Sequence, residues 1–151
     1  MPKSPASRRL AALLVCAPIA SACQPVPPGI AHVRVVARDY AFGAPRTVPA
    51  GQTAFQLVNE GTVRHEVQLY RFRPGISGDS ALHMIATNEI PDDAIDAGGG
   101  VLIIGPADSA RQQLLLTLQP GEVYGLECAF RDGPDKPQHR DMGMYGVVTV
   151  E

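Results

Sequence analysis

Tryptophan is absent from this chain of 151 residues, and aromatic side chains of all kinds make up only 5% of it. The sequence also lacks a glycine-rich phosphate loop, the motifs G-x-S-x-G and H-E-x-x-H, and any C-x-x-C pair. These absences remove the sequence signals of nucleotide-binding proteins, serine hydrolases, zinc peptidases and dithiol oxidoreductases. A net charge of −2 and a pI near 6.1 argue against nucleic acid as a partner.

Chain breakers are abundant instead, with 15 glycines and 14 prolines, which disfavours long helices. Apolar and polar residues alternate with the period of half-buried strands in segments 32–40, 53–59 and 63–72. Four further strand-like segments cover residues 98–105, 111–118, 122–130 and 145–151. We predict an all-β, antiparallel β-sandwich of seven or eight strands over residues 31–151, with one short helix near residues 79–88.

The N-terminus has the order of a secretory signal. Lys3, Arg8 and Arg9 precede an apolar run over residues 10–20, which is too short for a permanent transmembrane helix. We expect residues 1–22 to be a signal peptide, 23–30 a proline-rich tether and 31–151 the folded domain. Two cleavage modes stay open at Ala20-Ser21-Ala22-Cys23: an A-x-A site, or a lipobox that makes a lipidated Cys23 the mature N-terminus. We predict the lipidated form, anchored to a membrane at the cell surface or in the periplasm.

Removal of residues 1–22 leaves 10 basic and 15 acidic residues, a net charge of −5. It also removes Cys16, so that with Cys23 lipidated Cys128 is the one thiol of the exported domain. Exported proteins normally use cysteines in disulfide pairs. An unpaired cysteine is therefore expected to be either buried or coordinated.

Potential metal ligands are concentrated between the last two predicted strands. Cys128, His139, Met142 and Met144 supply a thiolate, an imidazole and two thioethers, and His65 lies near the start of an earlier strand. Cysteine and methionine are soft ligands and histidine is intermediate, a set that suits copper in both oxidation states. Zinc would more often use further cysteine, histidine or carboxylate ligands.

Three motifs resemble those of the cupredoxin family, the small copper-binding sandwiches that include plastocyanin, azurin and plastocyanin-like bacterial lipoproteins. They are Asn59-Glu-Gly61-Thr-Val-Arg-His65, Pro120-Gly121-x-x-Tyr124-x-x-x-Cys128 and His139-x-x-x-Gly143-Met144-x-Gly146-x-Val148-x-Val150. The last motif is the most specific of the three. The resemblance covers roughly residues 31–151.

The resemblance implies a Greek-key sandwich that holds one copper ion, cycling between Cu(I) and Cu(II), through His65, Cys128, His139 and Met144. It implies an electron carrier and not an enzyme. We expect a monomer that exchanges electrons with a partner protein through an exposed edge of His139. One departure stands out, since ten residues separate Cys128 from His139 where familiar members have two to four. Turn-forming residues in this loop would allow the excess to bulge away.

Each candidate ligand also has an ordinary structural explanation. Cys128 could be an inert core thiol, His65 a satisfied core histidine, His139 an exposed loop residue and Met144 a core filler. Glu66 is a weak candidate for a fifth, oxygen ligand, although on a strand it should face away from His65. The alternative function is a non-redox copper-holding or metal-free β-sandwich lipoprotein.

Overall fold

Strands dominate the computed structural model, which describes residues 29–108 and 112–151. The predicted signal peptide and the lipidation candidate Cys23 lie outside the described residues. The strands are β1 (Ala31–Arg38), β2 (Ala41–Gly43), β3 (Thr47–Val48), β4 (Gly51–Asn59), β5 (His65–Phe72), β6 (Ile95–Ile104), β7 (Leu114–Leu118), β8 (Val123–Glu127) and β9 (Tyr145–Val150). The helices are α1 (Gly78–Thr87) and a 3-10 helix over His139–Met142.

The strands form two sheets, one in the order β2-β1-β4-β7 and the other in the order β3-β9-β8-β5-β6. The predicted β-sandwich with one short α-helix is thus confirmed. The sheets are mixed, however, because β1 pairs with β4 and β3 pairs with β9 in parallel. The expectation of purely antiparallel pairing missed these two contacts. Between β1 and β4 the chain passes through β3, which belongs to the other sheet. Strand β4 therefore runs in the same direction as β1.

The core between the sheets follows the alternation read from the sequence. Val33, Val35 and Ala37 of β1 point inward and are buried, as their period-two spacing predicts. They pack in one cluster with residues of both sheets, including Phe55 and Leu57 of β4. Burying one valine, leucine or phenylalanine side chain stabilises the fold by about 1.5–3 kcal/mol.

Helix α1 lies where the sequence predicts it. The Ser77 side chain caps its N-terminus by accepting the Ser80 N–H at 3.1 Å, and Asn88 ends it in the left-handed conformation. Ala81 and Ile85 bury its apolar face in a second, smaller cluster. Within residues 29–108 and 112–151, no helix is long and apolar enough to cross a membrane.

Three neighbouring strands of the five-stranded sheet bring the candidate ligands to one end of the sandwich. His65 is the first residue of β5, Cys128 directly follows β8, and Met144 directly precedes β9. Both β5 and β9 run antiparallel to the intervening β8. The start of β5, the end of β8 and the start of β9 therefore meet at the same edge.

Candidate metal centre

Three buried side chains converge at this end of the sandwich: His65, Cys128 and His139, each with no exposed surface. The two Nδ1 atoms are 3.2 Å apart, and Cys128 Sγ lies 3.4 Å from Nδ1 of His139 and 4.0 Å from Nδ1 of His65. Two ligands bound to one ion at roughly 2.0–2.3 Å can be at most about 4.6 Å apart. All three separations are within that limit, so the three atoms could hold a single metal ion.

The opposite nitrogen of each imidazole contacts a carboxylate. Nε2 of His65 lies 2.8 Å from Asp39 Oδ1, and Nε2 of His139 lies 3.0 Å from Asp132 Oδ1. A carboxylate only accepts hydrogen bonds, so these contacts favour a proton on each Nε2. Both Nδ1 lone pairs then face each other and the sulfur, an arrangement that a bound cation stabilises.

Backbone hydrogen bonds hold the ten-residue loop between Cys128 and His139 together at its base. The His139 N–H donates to the Phe130 carbonyl at 2.8 Å, and the Arg140 N–H donates to the Cys128 carbonyl at 2.9 Å. The extra residues therefore bulge out between Phe130 and His139, as their turn-forming composition predicts. The thiol and the imidazole stay adjacent despite the long loop.

Solved structures similar to this fold include two auracyanins and a purple cupredoxin. An auracyanin from Roseiflexus castenholzii has a TM-score of 0.50 and 22% identity, over 80% of this chain and 96% of that one. Auracyanin A of Chloroflexus aurantiacus, described as a "blue" copper protein, has a TM-score of 0.48 and 15% identity, over 82% and 100%. A purple cupredoxin of Nitrosopumilus maritimus has a TM-score of 0.43 and 14% identity, over 78% and 98%.

The domain has the cupredoxin fold. The match to the Roseiflexus castenholzii auracyanin carries this conclusion, and at 22% identity it concerns the fold alone. No protein-family model matches the chain, and no curated protein matches it in sequence. What the cupredoxin-fold domain binds therefore has to be argued from its own side chains.

Asp39 is fixed in the turn after β1 by three hydrogen bonds. Besides the His65 ring, it accepts from the Thr62 N–H at 2.8 Å and the Thr62 hydroxyl at 2.6 Å, both on Oδ2. Burial alone would raise the pKa of Asp39, but these donors outweigh it and hold the pKa well below its ordinary value. A Cβ atom at Gly61 would lie 2.1 Å from Asp39 Oδ1, so any other residue there would force the carboxylate to shift.

Asp132 closes the site from the side of the loop. Its Oδ2 accepts a hydrogen bond from the Tyr40 hydroxyl, which together with the His139 ring lowers the pKa of Asp132. The Tyr40 ring lies against both imidazoles, with its centroid 4.8 Å from that of His139 and 6.2 Å from that of His65. The expected exposed edge of His139 is wrong, because its side chain is fully buried, with Tyr40 and Asp132 in contact with the ring.

Within the part of the chain that the structure describes, Cys128 forms no disulfide, and it lies in the core cluster between the sheets. Burial raises the pKa of its thiol, while backbone N–H groups of Glu66 and Phe130 act in the opposite direction. The Glu66 N–H points at Sγ from 3.5 Å. A coordinating metal ion would deprotonate such a thiol outright. The sulfur is thus shielded from solvent but already provided with donors that favour a thiolate.

The two methionines of the loop differ in burial. Met144 is completely buried in the same cluster as Cys128, whereas Met142 is 39% exposed. The Met144 carbonyl accepts from the Cys128 N–H, and the Met144 N–H donates to the His139 carbonyl. This places the Met144 backbone against two of the three converging residues and makes it the better candidate for a thioether ligand.

Glu66 and the two other described histidines, His32 and His83, are not part of the cluster of three. Glu66 is buried, but its Oε1 accepts from the Ala129 N–H at 3.1 Å and from the Gln68 side chain at 2.9 Å, so it holds the backbone beside Cys128. His32 and His83 are exposed on β1 and α1. Sequence reasoning missed Asp39, Tyr40 and Asp132. Nothing in their local pattern distinguishes them from ordinary surface residues.

Proposed function

We propose that this protein binds one copper ion through Cys128 Sγ and the Nδ1 atoms of His65 and His139. Met144 would supply a fourth, weaker ligand through its thioether. The observation that carries this proposal is the convergence of one sulfur and two Nδ1 atoms in a buried pocket. Two imidazoles and one thiolate with a distant thioether form the donor set of copper sites that transfer electrons. We therefore propose an electron carrier rather than an enzyme.

A copper ion in this site would supply one-electron chemistry between Cu(I) and Cu(II). The protein's part is to keep the ligands still. The rings of His65 and His139 are held at Nε2 by carboxylates, and Cys128 lies under backbone donors. All three side chains are buried, which excludes water from the ligand atoms. Ligands held this way move little when the charge at the site changes, which favours fast electron exchange.

Voltammetry of the copper-loaded protein tests the redox part of this proposal. We expect one reversible one-electron wave per protein molecule. The matched control is His83→Ala, which changes an exposed histidine on α1 and should leave the wave unchanged. A protein that binds copper tightly but gives no reversible wave would refute the carrier function.

The burial of His139 favours a second candidate function, the holding or delivery of copper without electron exchange. With Tyr40 and Asp132 over the ring, a partner cannot touch the His139 imidazole directly. Stopped-flow oxidation of the Cu(I) form by a small inorganic oxidant distinguishes the two functions. Rapid oxidation supports the carrier, whereas slow oxidation combined with rapid copper transfer to a chelator supports the holding function.

We further propose that the protein is exported and anchored through a lipid on Cys23, and that it acts as a monomer toward a partner protein. The support is the sequence order of basic, apolar and small residues before Cys23, followed by a proline-rich tether. Stable anchoring needs more than one acyl chain, a requirement that a multiply acylated N-terminus satisfies. Mass spectrometry of the native N-terminus tests this: an unmodified peptide that begins at Cys23 or later would disprove the anchor.

A further inference from the structure

We propose that Asp39 and Asp132 are positioning residues that set both the tautomer of the metal ligands and the balance between copper oxidation states. Each carboxylate would keep its histidine protonated on Nε2, so that Nδ1 is free to bind. The two negative charges behind the imidazoles would favour Cu(II) over Cu(I). The oxidation-state part rests on the proposed copper site, whereas the tautomer part can be tested without any metal.

The two contacts join the same kinds of atoms, but different residues hold the two aspartates in place. Both join a histidine Nε2 to an aspartate Oδ1, at 2.8 Å for His65 and 3.0 Å for His139. Asp39 is fixed in the β1–β2 turn by both donors of Thr62. Asp132 lies on the long loop and is held by the Tyr40 hydroxyl. One ligand is thus oriented from the sandwich and the other from the loop that covers it.

Without these carboxylates, each neutral imidazole could carry its proton on either Nδ1 or Nε2. Neutral imidazole carries its proton on either nitrogen, and the partner of one nitrogen decides which. The two Nδ1 atoms are only 3.2 Å apart, so a proton on either of them would block the space between the three ligand atoms. Carboxylate partners of metal-binding histidines typically change metal affinity by roughly 10–100-fold.

The charge of the carboxylates adds a second effect. Each carboxylate lies just beyond the imidazole, on the side away from the ligand atoms. A negative charge there interacts more favourably with a doubly charged ion than with a singly charged one. The pair should therefore strengthen the binding of Cu(II) more than that of Cu(I), and so lower the reduction potential.

Asp132 allows the two effects to be separated. In Asp132→Asn the amide oxygen can still accept from His139 Nε2, and the amide NH₂ can donate to the Tyr40 oxygen, so mainly the charge is lost. Asp132→Ala removes both the charge and the acceptor. Asp135→Asn, an exposed position on the same loop, removes one charge elsewhere and is the matched control. Asp39 is less suitable, because an amide there would oppose the two Thr62 donors.

The first measurement is ¹⁵N NMR of the histidine side chains in the metal-free protein, at a pH where the rings are neutral. We expect both His65 and His139 to be protonated on Nε2 in the wild type and in Asp132→Asn. In Asp132→Ala, His139 should show a mixture of tautomers. A wild-type protein with the proton on Nδ1 of either histidine would overturn the proposal, and this result needs no variant to fold.

The second measurement compares Cu(I) and Cu(II) affinities by competition with chelators of known strength. Asp132→Asn should weaken Cu(II) binding about 10-fold while Cu(I) binding changes less than 3-fold, and Asp132→Ala should weaken both by roughly 10–100-fold. Asp135→Asn should match the wild type. Equal affinities in all four proteins would overturn the proposal. A wild type with the expected tautomers but no reversible voltammetric wave would instead refute only the carrier function.

Discussion

The backbone N–H of His139 donates to the carbonyl of Phe130 at 2.8 Å, although nine positions separate the two residues in the sequence. This bond acts with the one from the Arg140 N–H to the Cys128 carbonyl, so two consecutive residues of the 3-10 helix pair with the strand end that carries Cys128. The geometry between thiol and imidazole is therefore set at the loop base. Residues at the tip of the loop, such as Asp135, take no part in these two bonds.

Glycine insertions should show that the base of the loop, and not its tip, controls copper affinity. One glycine inserted between Asp135 and Lys136, at the exposed tip, should change copper affinity less than 3-fold, because no hydrogen bond of the base is displaced. One glycine inserted between Cys128 and Ala129 should weaken binding at least 10-fold, since it shifts the Phe130 carbonyl away from the His139 N–H. Chelator competition measures both. Equal losses at the two positions would contradict the role of the base.

Exchange of methionine for leucine should distinguish Met144 from Met142. Met144→Leu keeps the buried volume but removes the thioether. We expect copper to remain bound, because the bond to the thioether is weak. We expect the reduction potential to rise, because the site becomes more apolar. Met142→Leu, at a side chain that is 39% exposed, is the control and should leave the potential unchanged. Voltammetry measures both. An effect confined to Met142→Leu would reverse the assignment.

The candidate ligands could be named from the sequence because each lies in a local motif. His65 starts an alternating strand, Cys128 ends another, and His139 and Met144 occupy fixed positions before the last strand. Each pattern lies on a single strand, and the sandwich brings the ends of these strands together. The short helix near residues 79–88 was predictable for the same reason, from a local pattern. The parallel pairing of β1 with β4 depends on which sheet the chain visits between them, and no local period carries that information.

The residues around the ligands could not be predicted, because their roles arise from contacts between distant segments. Asp39 and Asp132 are 93 positions apart in the sequence and meet at the same pair of imidazoles. Tyr40 contacts both rings from the turn between β1 and β2. The same contacts explain why the predicted exposure of His139 was wrong.

Gly61→Ala should destabilise the protein and weaken the site together. The added Cβ would collide with Asp39 Oδ1, so the carboxylate must shift away from His65. We expect the free energy of unfolding to fall by about 1–3 kcal/mol. Gly105→Ala is the control, because a Cβ there meets nothing within 4 Å. Urea denaturation that shows the same stability for both variants would contradict the close packing of Asp39 against Gly61.

Glu122→Gln should produce a stability loss that depends on pH. Burial raises the pKa of Glu122, but hydrogen bonds from the Gln119 N–H, Arg71 and Tyr124 outweigh it and lower the pKa below the ordinary 4.5. A lowered folded-state pKa means that the ionised group stabilises the fold above pH 4.5, and that this contribution is lost as the pH falls through the folded value. We expect a loss of about 1–3 kcal/mol at pH 7 that shrinks in acid. Glu89→Gln, at an exposed position, should show no such trend in denaturant unfolding.

A Cu(II) titration of the folded domain, followed by visible absorption, tests the central claim most directly. If Cys128, His65 and His139 hold one copper ion, a thiolate-to-copper charge-transfer band should grow to saturation at one equivalent. Cys128→Ser keeps the size of the side chain but removes the thiolate. This variant should bind copper without producing the band. A titration of the wild type that gives no such band, or a band that persists in Cys128→Ser, would contradict the account.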